Sequence, residues 1–292
     1  MDIESKKFLG QPKNFISIFN ALLFDGQPVL KPEYLKDENS ELVMNVSSKH
    51  VDIIKRYEDG TYLDLFVIES QSYVDQCMVA RVMEYESVAR MRYIRQNFKK
   101  HVPMHTRLPM ILTVVLYVGE SKWNAAKRLS ELEIIHPGFE DMFNEFKLNL
   151  IELNTNHKYN TGEKATQDFF DLLRMIYRKQ ILKEDLDREF NRDALYFAYV
   201  VTKNKELLNI YQKSEKGDVK VCRALDEMFE ESTNKGIQMG IKQGFEQGIE
   251  QGIALNQFEV YQTMLDKGFS VKAIASIFSV SEESIKTLLM RT

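Results

Sequence analysis

The segment from residue 50 to residue 68 constrains the fold most, because it has the pattern of a β-hairpin. Two apolar runs rich in β-branched residues flank the dipeptide Asp59-Gly60. Asp-Gly between such runs favours a type I′ turn, which needs a positive φ at both central residues. If these two residues form the loop, Asp52 lies opposite Val67. We therefore predict two antiparallel strands in this register.

Strand alternation then gives Asp52, Val67, Glu69 and Gln71 the same sheet face. Asp52 and Glu69 would lie one diagonal step apart, roughly 7–8 Å between Cα atoms. Two carboxylates at this spacing could bind Mg²⁺ or Mn²⁺, since such hard cations take oxygen ligands and keep several waters. One of these waters could attack a phosphodiester. The alternative is an edge hairpin whose acidic side chains only face water.

Several further motifs, together with this segment, resemble the Rpn family of recombination-promoting nucleases and putative transposases, a branch of the PD-(D/E)XK nuclease superfamily. The residues that carry the resemblance are Asp52, Ile68-Glu69-Ser70-Gln71-Ser72, Asp75, Met78, Arg81, Tyr85, Leu108-Pro109, Val114-Val115-Leu116-Tyr117, Gly119 and Trp123. Glycine repeats near the C-terminus also match. The resemblance implies an α/β, restriction-endonuclease-like core, with a mixed sheet flanked by helices, followed by a helical C-terminal region.

The same resemblance implies roles for individual residues. Asp52 and Glu69 would be the metal ligands and Gln71 the third catalytic position, where the superfamily usually has lysine. Because glutamine carries no charge, it could orient a water or the scissile phosphate but could not act as an ammonium group does. The implied function is a Mg²⁺-dependent DNA endonuclease in recombination or transposition-like DNA transfer, with low activity as one expectation. Two alternatives stay open: a catalytically weak nucleic-acid-binding or assembly protein that retains the fold, and a regulator of a mobile element.

A basic stretch follows the predicted site. Residues 87–119 contain no Asp or Glu, although the net charge of the chain is −4. The positively charged side chains proposed to contact DNA phosphates are Arg81, Arg90, Arg92, Arg95, Lys99 and Lys100. Phosphate contacts of this kind dominate DNA affinity. A solvated helix face is the alternative, and Arg81 could instead pair with Glu84 or Asp75.

Composition places the chain among ordinary globular proteins. Hydrophobic residues make up 44% and charged residues 28% of its 292 residues. Its two cysteines are too few for a disulfide framework or a zinc site, and no apolar run approaches the roughly 20 residues of a membrane helix. We therefore expect a cytoplasmic protein that does not enter membranes.

The apolar pattern also predicts elements outside the hairpin. We expect helices over residues 12–24, 72–98 and 138–147, and then from 165 onward, including 182–211. A capping box of Ser72 and Asp75 would begin the second helix. Strands are expected at 41–46, 109–118 and 148–153.

The C-terminal third contains a glycine at every fourth position from Gly236 to Gly252. Such spacing permits close helix packing, so we predict a homo-oligomer through this helix, with a flexible linker as the alternative. The tail has the layout of a helix-turn-helix in which Ser270 and Ser281 cap two helices. Its second helix offers two acidic residues and one lysine, which favours a packing module over sequence reading. The predicted segments are a nuclease-like domain (1–155), a helical extension (156–233), the glycine repeat (234–256) and the tail (257–292).

Overall fold

The structure is a computed structural model that describes residues 3–38, 53–60, 63–98, 101–214 and 217–290. The chain divides into two compact units, Met1–Asp226 and Glu227–Thr292. The division into four segments made from the sequence stays a prediction.

The first unit combines helices with short and long strands. In chain order the elements are α1 (Ile3–Leu9), α2 (Pro12–Phe24), β1 (Leu35–Asp37), β2 (Ile53–Glu58), β3 (Leu63–Gln71), α3 (Met78–Asn97), β4 (Ile111–Tyr117), β5 (Asn149–Glu152), α4 (Lys164–Arg178), β6 (Glu189–Phe190), α5 (Arg192–Thr202), α6 (Lys205–Lys213), β7 (Val219–Lys220) and the start of α7 (Cys222–Asp266). Within the described residues, five strands form a sheet in the order β1-β2-β3-β4-β5. The strands β1, β2 and β3 pair antiparallel, whereas β4 pairs parallel with both β3 and β5. The α/β fold with a mixed sheet is therefore confirmed.

Helices cover both faces of this sheet. Leu65 and Val67 of β3 pack with Tyr85 and other residues of α3. On the opposite face, Phe66 of β3 stacks on Phe19 of α2 with ring centroids 4.7 Å apart. Burial on both faces explains why β3 is apolar at successive positions rather than at alternate ones. Its central place in the sheet makes β3 a rigid support for the side chains at its end.

The predicted register of the hairpin is wrong by two residues. Val67 pairs with Ile54 rather than with Asp52, and the last pair before the loop joins Glu58 to Leu63. Four residues instead of two therefore separate the paired strand ends in the sequence. The φ of Gly60 is 89°, but Asp59 is not among the described residues with positive φ, so the type I′ requirement is not met.

The helix after β3 begins later than predicted. α3 starts at Met78, not at Ser72, and its N-cap residue Cys77 makes no side-chain capping bond. The carboxylate of Asp75 instead accepts a hydrogen bond from the Cys77 N–H at 2.9 Å. This local bond forms a turn that competes with helix, so the predicted capping box of Ser72 and Asp75 is absent.

The other predicted elements have mixed outcomes. The helix at 12–24 and the strands at 109–118 and 148–153 are confirmed as α2, β4 and β5. The helix at 138–147 is wrong, because this stretch contains one 3₁₀ turn at Glu140–Met142 and Gly138 has a φ of 90°. The stretch 182–211 is interrupted by β6, which pairs with β7. The strand expected at 41–46 lies outside the described residues.

The second unit contains the remainder of α7 together with α8 (Val271–Phe278) and α9 (Glu282–Leu289). Ser270 and Ser281 cap α8 and α9 as predicted, accepting hydrogen bonds from the N–H groups of Ala273 and Ser284. The buried side chains that join these helices are Tyr261, Ile274, Ala275 and Ile285. The glycine repeat is helical throughout, and self-association through it stays a prediction. None of the helices in the described ranges is long and apolar enough to cross a membrane.

Candidate active site at the end of β3

The end of β3 carries two buried polar side chains on one sheet face. Glu69 and Gln71 are each 4% exposed, and strand alternation gives them the same face as Leu65 and Val67. Both residues pair in parallel with β4, Glu69 with Val115 and Gln71 with Tyr117. Their backbone is therefore held by the centre of the sheet, and their side chains lie on the side of α3.

The third side chain of the site comes from α3. Arg81 lies one turn into this helix, and its Nη2 group is 3.1 Å from the Oε1 atom of Glu69. Its Nη1 group also forms an ion pair with Asp75 in the turn before the helix. The hydroxyl of Tyr85 accepts from Nη2 at 2.8 Å and from Nε at 3.2 Å. One guanidinium thus connects the strand, the turn and the helix.

The electrostatics of this group follow from its burial. The side chain of Arg81 is 16% exposed and that of Glu69 is 5% exposed. Burial disfavours the charged guanidinium, but the hydrogen bonds that it donates to Asp75 and Tyr85, together with the charge of Glu69, outweigh this effect and raise the pKa of Arg81. Burial also raises the pKa of Tyr85. Arg81 is therefore a permanent positive charge beside the Glu69 carboxylate.

Gln71 differs from Glu69 in having an unused donor. Its Nε2 atom is buried and has no hydrogen-bond partner in the part of the chain that the structure describes. A buried amide donor without a partner costs free energy, typically about 1–3 kcal/mol. Such a donor fits an acceptor oxygen supplied by a ligand, for example a phosphate oxygen or an ordered water.

The remaining predicted site residues are placed as follows. Asp52, Lys99 and Lys100 lie outside the described residues. Of the two pairings weighed for Arg81, the one with Asp75 is present. Arg90 forms an ion pair at 2.9 Å with Glu86, which is buried, whereas Arg95 is exposed near the end of α3. Arg92 is half-buried on the same helix.

The contact between Arg81 and Glu69 was not predicted from the sequence. The two residues are twelve positions apart and lie on different elements, so neither helical nor strand spacing brings them together. The only local signal was that Asp75 and Arg81 are both charged and close in sequence. Tyr85 is one of the residues that carry the family resemblance, but its role as an acceptor for Arg81 also depends on the tertiary fold.

The described residues offer few ligands for a metal ion. No group of three or more His, Cys, Asp or Glu side chains that could hold a metal is present within the described ranges. Mg²⁺ commonly binds through one or two carboxylates, with waters and phosphate oxygens as its other ligands. Glu69 is a carboxylate of this kind, so the donor set fits Mg²⁺ if a second oxygen ligand joins it.

Comparison with protein families matches residues 30–207 to the family described as putative transposase, YhgA-like. Comparison with curated proteins and with solved structures finds no match. The matched range covers more than half of the chain and contains β3, α3 and β4 with the Glu69, Gln71 and Arg81 side chains. The chain therefore belongs to the family of YhgA-like putative transposases.

Proposed function

We propose that this protein is a metal-dependent DNA endonuclease with a PD-(D/E)XK-like core, acting in recombination or transposition-like DNA transfer. The observation that carries the proposal is the pair of buried polar side chains at the end of β3. Glu69 supplies a carboxylate, and Gln71 two residues later supplies a buried amide donor without a partner in the described residues. The chain's membership in the family of YhgA-like putative transposases is consistent with this role.

The proposed cofactor is Mg²⁺ or Mn²⁺, held by Glu69 and Asp52. Asp52 is proposed from the sequence: it directly precedes Ile53, and Ile53 pairs with Ile68, the neighbour of Glu69. When bound, the cation would lower the pKa of a coordinated water and polarise a phosphoryl oxygen. Glu69 is held at the centre of the sheet, which favours accurate placement of the reacting groups.

The chain's own side chains have defined tasks in the proposed reaction. Glu69 orients the attacking water, whose oxygen forms a bond to phosphorus while the bond from phosphorus to the 3′ oxygen breaks. The water loses a proton to solvent, and the leaving 3′ oxygen takes a proton from solvent. The products are a 3′-hydroxyl and a 5′-phosphate end. Gln71 donates its amide N–H to a non-bridging oxygen of the phosphate, but contributes no positive charge there.

The proposed DNA contacts lie on α3 and directly after it. Arg95 is exposed. Like Arg95, the residues Arg92, Lys99 and Lys100 belong to the acid-free stretch, residues 87–119, which contains no Asp or Glu. Arg90 is a weaker candidate than the sequence suggested, because its guanidinium already pairs with the buried Glu86. Positive side chains that bind phosphates would supply affinity without reading the base sequence.

A nicking assay on supercoiled plasmid tests the proposal. Wild-type protein with Mg²⁺ or Mn²⁺ should convert supercoiled DNA to the open circular form, and EDTA should stop this conversion. Glu69→Gln and Asp52→Ala should each lower the rate by at least about 100-fold, the usual scale for a group that acts in the chemical step. Glu133→Gln, at an exposed position, is the matched control and should retain the wild-type rate. Metal-independent nicking, or equal rates in wild type and Glu69→Gln, would contradict the assignment.

A second candidate function is a nucleic-acid-binding or assembly protein with little or no cleavage activity. The observation that favours it is the ion pair between Glu69 and Arg81, because a carboxylate engaged by a guanidinium is less available to a cation. DNA binding without nicking in any metal, by a protein that is folded, would support this candidate over the first.

A further inference from the structure

The Arg81 guanidinium has three partners, and these lie on different elements of the fold. Asp75 lies in the turn before α3, and Tyr85 lies four residues further along α3 itself. Glu69 is the partner on β3, and it is the proposed ligand of the cation. If the contact to Glu69 were broken, Arg81 would still be held at the site by Asp75 and Tyr85.

The cation and Arg81 would compete for Glu69. Arg81 contacts the Oε1 atom of a carboxylate that is 5% exposed, and a cation on the same carboxylate would be repelled by the guanidinium at short range. A buried carboxylate also requires a positive partner when no cation is bound, because its desolvation is costly. Arg81 meets that requirement in the metal-free protein.

We propose that Arg81 is a counter-ion latch on the metal site, an inference that rests on the proposed function. Arg81 neutralises Glu69 in the metal-free protein and releases it when a divalent cation binds. Asp75 and Tyr85 then retain the guanidinium beside the site, where its Nη2 group can donate to the phosphate of the DNA backbone. Metal and DNA binding are thereby coupled, since a DNA phosphate that binds Arg81 favours the state in which Glu69 binds the cation.

This arrangement predicts opposite effects for two neighbouring substitutions. Arg81→Gln removes the competitor and should tighten metal binding by at least about tenfold, the factor that corresponds to about 1.4 kcal/mol. Asp75→Asn removes the alternative anchor, so Arg81 stays on Glu69 and metal binding should weaken. A purely structural network would instead show weaker metal binding in both variants.

The experiment is calorimetric titration of the full-length protein with Mn²⁺, without DNA. The proteins compared are wild type, Arg81→Gln, Asp75→Asn, the double variant and Glu69→Gln, with circular dichroism to check folding. Arg223→Gln is the charge-matched control, because Arg223 is 72% exposed and pairs only with the exposed Asp187 among the described contacts. If Arg81→Gln does not fold, Arg81→Met takes its place, since it keeps the apolar stem without the charge.

The double variant separates two explanations for Asp75. If Asp75 acts through Arg81, its substitution should have no further effect once Arg81 is absent. If Asp75 is itself a metal ligand, its substitution should weaken binding equally in both backgrounds, and that result would overturn the role given to Asp75.

The remaining outcomes distinguish the latch from the metal site. Wild-type binding that depends on Glu69, with unchanged or weaker binding in Arg81→Gln, would overturn the latch and leave the metal site in place. Binding detected only after Arg81 is replaced would support the latch in its strongest form. Absence of Mn²⁺ binding in every folded protein, including Arg81→Gln, would overturn both the latch and the metal-dependent function.

Discussion

The Nη2 group of Arg81 lies 3.1 Å from the Oε1 atom of Glu69 and connects α3 to the central strand β3. This contact places a positive charge where the proposed reaction needs a negatively charged ligand. The neighbouring Gln71 offers an amide donor but no charge. The balance of charge at the site is therefore set by α3 as much as by the strand.

Substitution of Gln71 by lysine tests whether the amide replaces a lysine function. Gln71→Lys should preserve the fold and retain or raise metal-dependent nicking, because an ammonium group can stabilise charge that develops on the scissile phosphate. Nicking rates of wild type and Gln71→Lys at equal protein and Mg²⁺ concentrations provide the measurement. Gln71→Leu is the control without a polar group and should be slower than wild type. A folded Gln71→Lys protein that has lost all wild-type activity would exclude this role.

A separate ion-pair cluster predicts a large loss of stability. Arg188 donates to Asp171 at 2.8 Å and to Asp168 at 2.7 Å, and these two carboxylates are 3% and 1% exposed. Arg188→Met would remove their shared counter-ion and leave Asp168 with Lys164 and Asp171 with Arg174. It should lower the free energy of unfolding by about 1–3 kcal/mol. Urea unfolding followed by circular dichroism measures the loss. Arg178→Met, at an exposed position at the end of α4, should change stability by less than about 0.5 kcal/mol. A loss of that smaller size for Arg188→Met would mean that Lys164 and Arg174 compensate fully for the missing guanidinium.

Sequence patterns predicted the parts of the fold that depend on local periodicity. The strands at 109–118 and 148–153 and the helix at 12–24 follow from such patterns. The sheet flanked by helices, which the resemblance implied, is also present, since Phe66 packs on α2 and Val67 on α3. Alternation placed Glu69 and Gln71 on one face without any tertiary information. Serine at a helix start was equally informative, because the capping bonds of Ser270 and Ser281 are made within four residues.

The features that the sequence did not predict depend on competition between interactions. The predicted hairpin register is wrong because the two-residue loop did not form: Asp59 does not have a positive φ, and the paired strands end at Glu58 and Leu63. The predicted start of α3 at Ser72 is wrong because the Asp75 carboxylate bonds to Cys77 and to Arg81 instead of supporting a capping box with Ser72. The contact of Arg81 with Glu69 has no local signature, since it requires α3 to pack on β3.

The acid-free stretch predicts a measurable electrostatic contribution to DNA binding. Arg95→Gln should weaken binding to duplex DNA of any sequence to a similar degree, because a phosphate contact carries no base information. It should also reduce the slope of log K against log salt concentration by about one. Fluorescence anisotropy over a salt series gives both quantities, with Arg223→Gln as the control of equal charge. An unchanged slope would indicate that this part of α3 is only a solvated face.

The exposed surface of α7 predicts self-association through the glycine repeat. Among the described residues, nothing beyond the adjacent turns of α7 lies within 4 Å of the position that a Cβ atom would take at the repeat glycines Gly236, Gly240, Gly244, Gly248 and Gly252. The apolar residues beside these glycines are also exposed, for example Ile241 at 67% and Phe245 at 69%. Each glycine lowers helix stability by about 1 kcal/mol relative to alanine, so packing against a second copy is the compensation that we propose.

A charge placed in this apolar row should prevent the association. Light scattering on the full-length protein should give at least a dimer mass for wild type and a monomer mass for the double variant Ile241→Glu/Phe245→Glu, because two buried carboxylates would lack counter-ions in the interface. Gln243→Glu and Gln247→Glu together add the same charge outside the apolar row and serve as the matched control. That control should stay associated if the apolar row forms the contact. A monomer mass for wild type at high protein concentration would show that α7 does not join two copies.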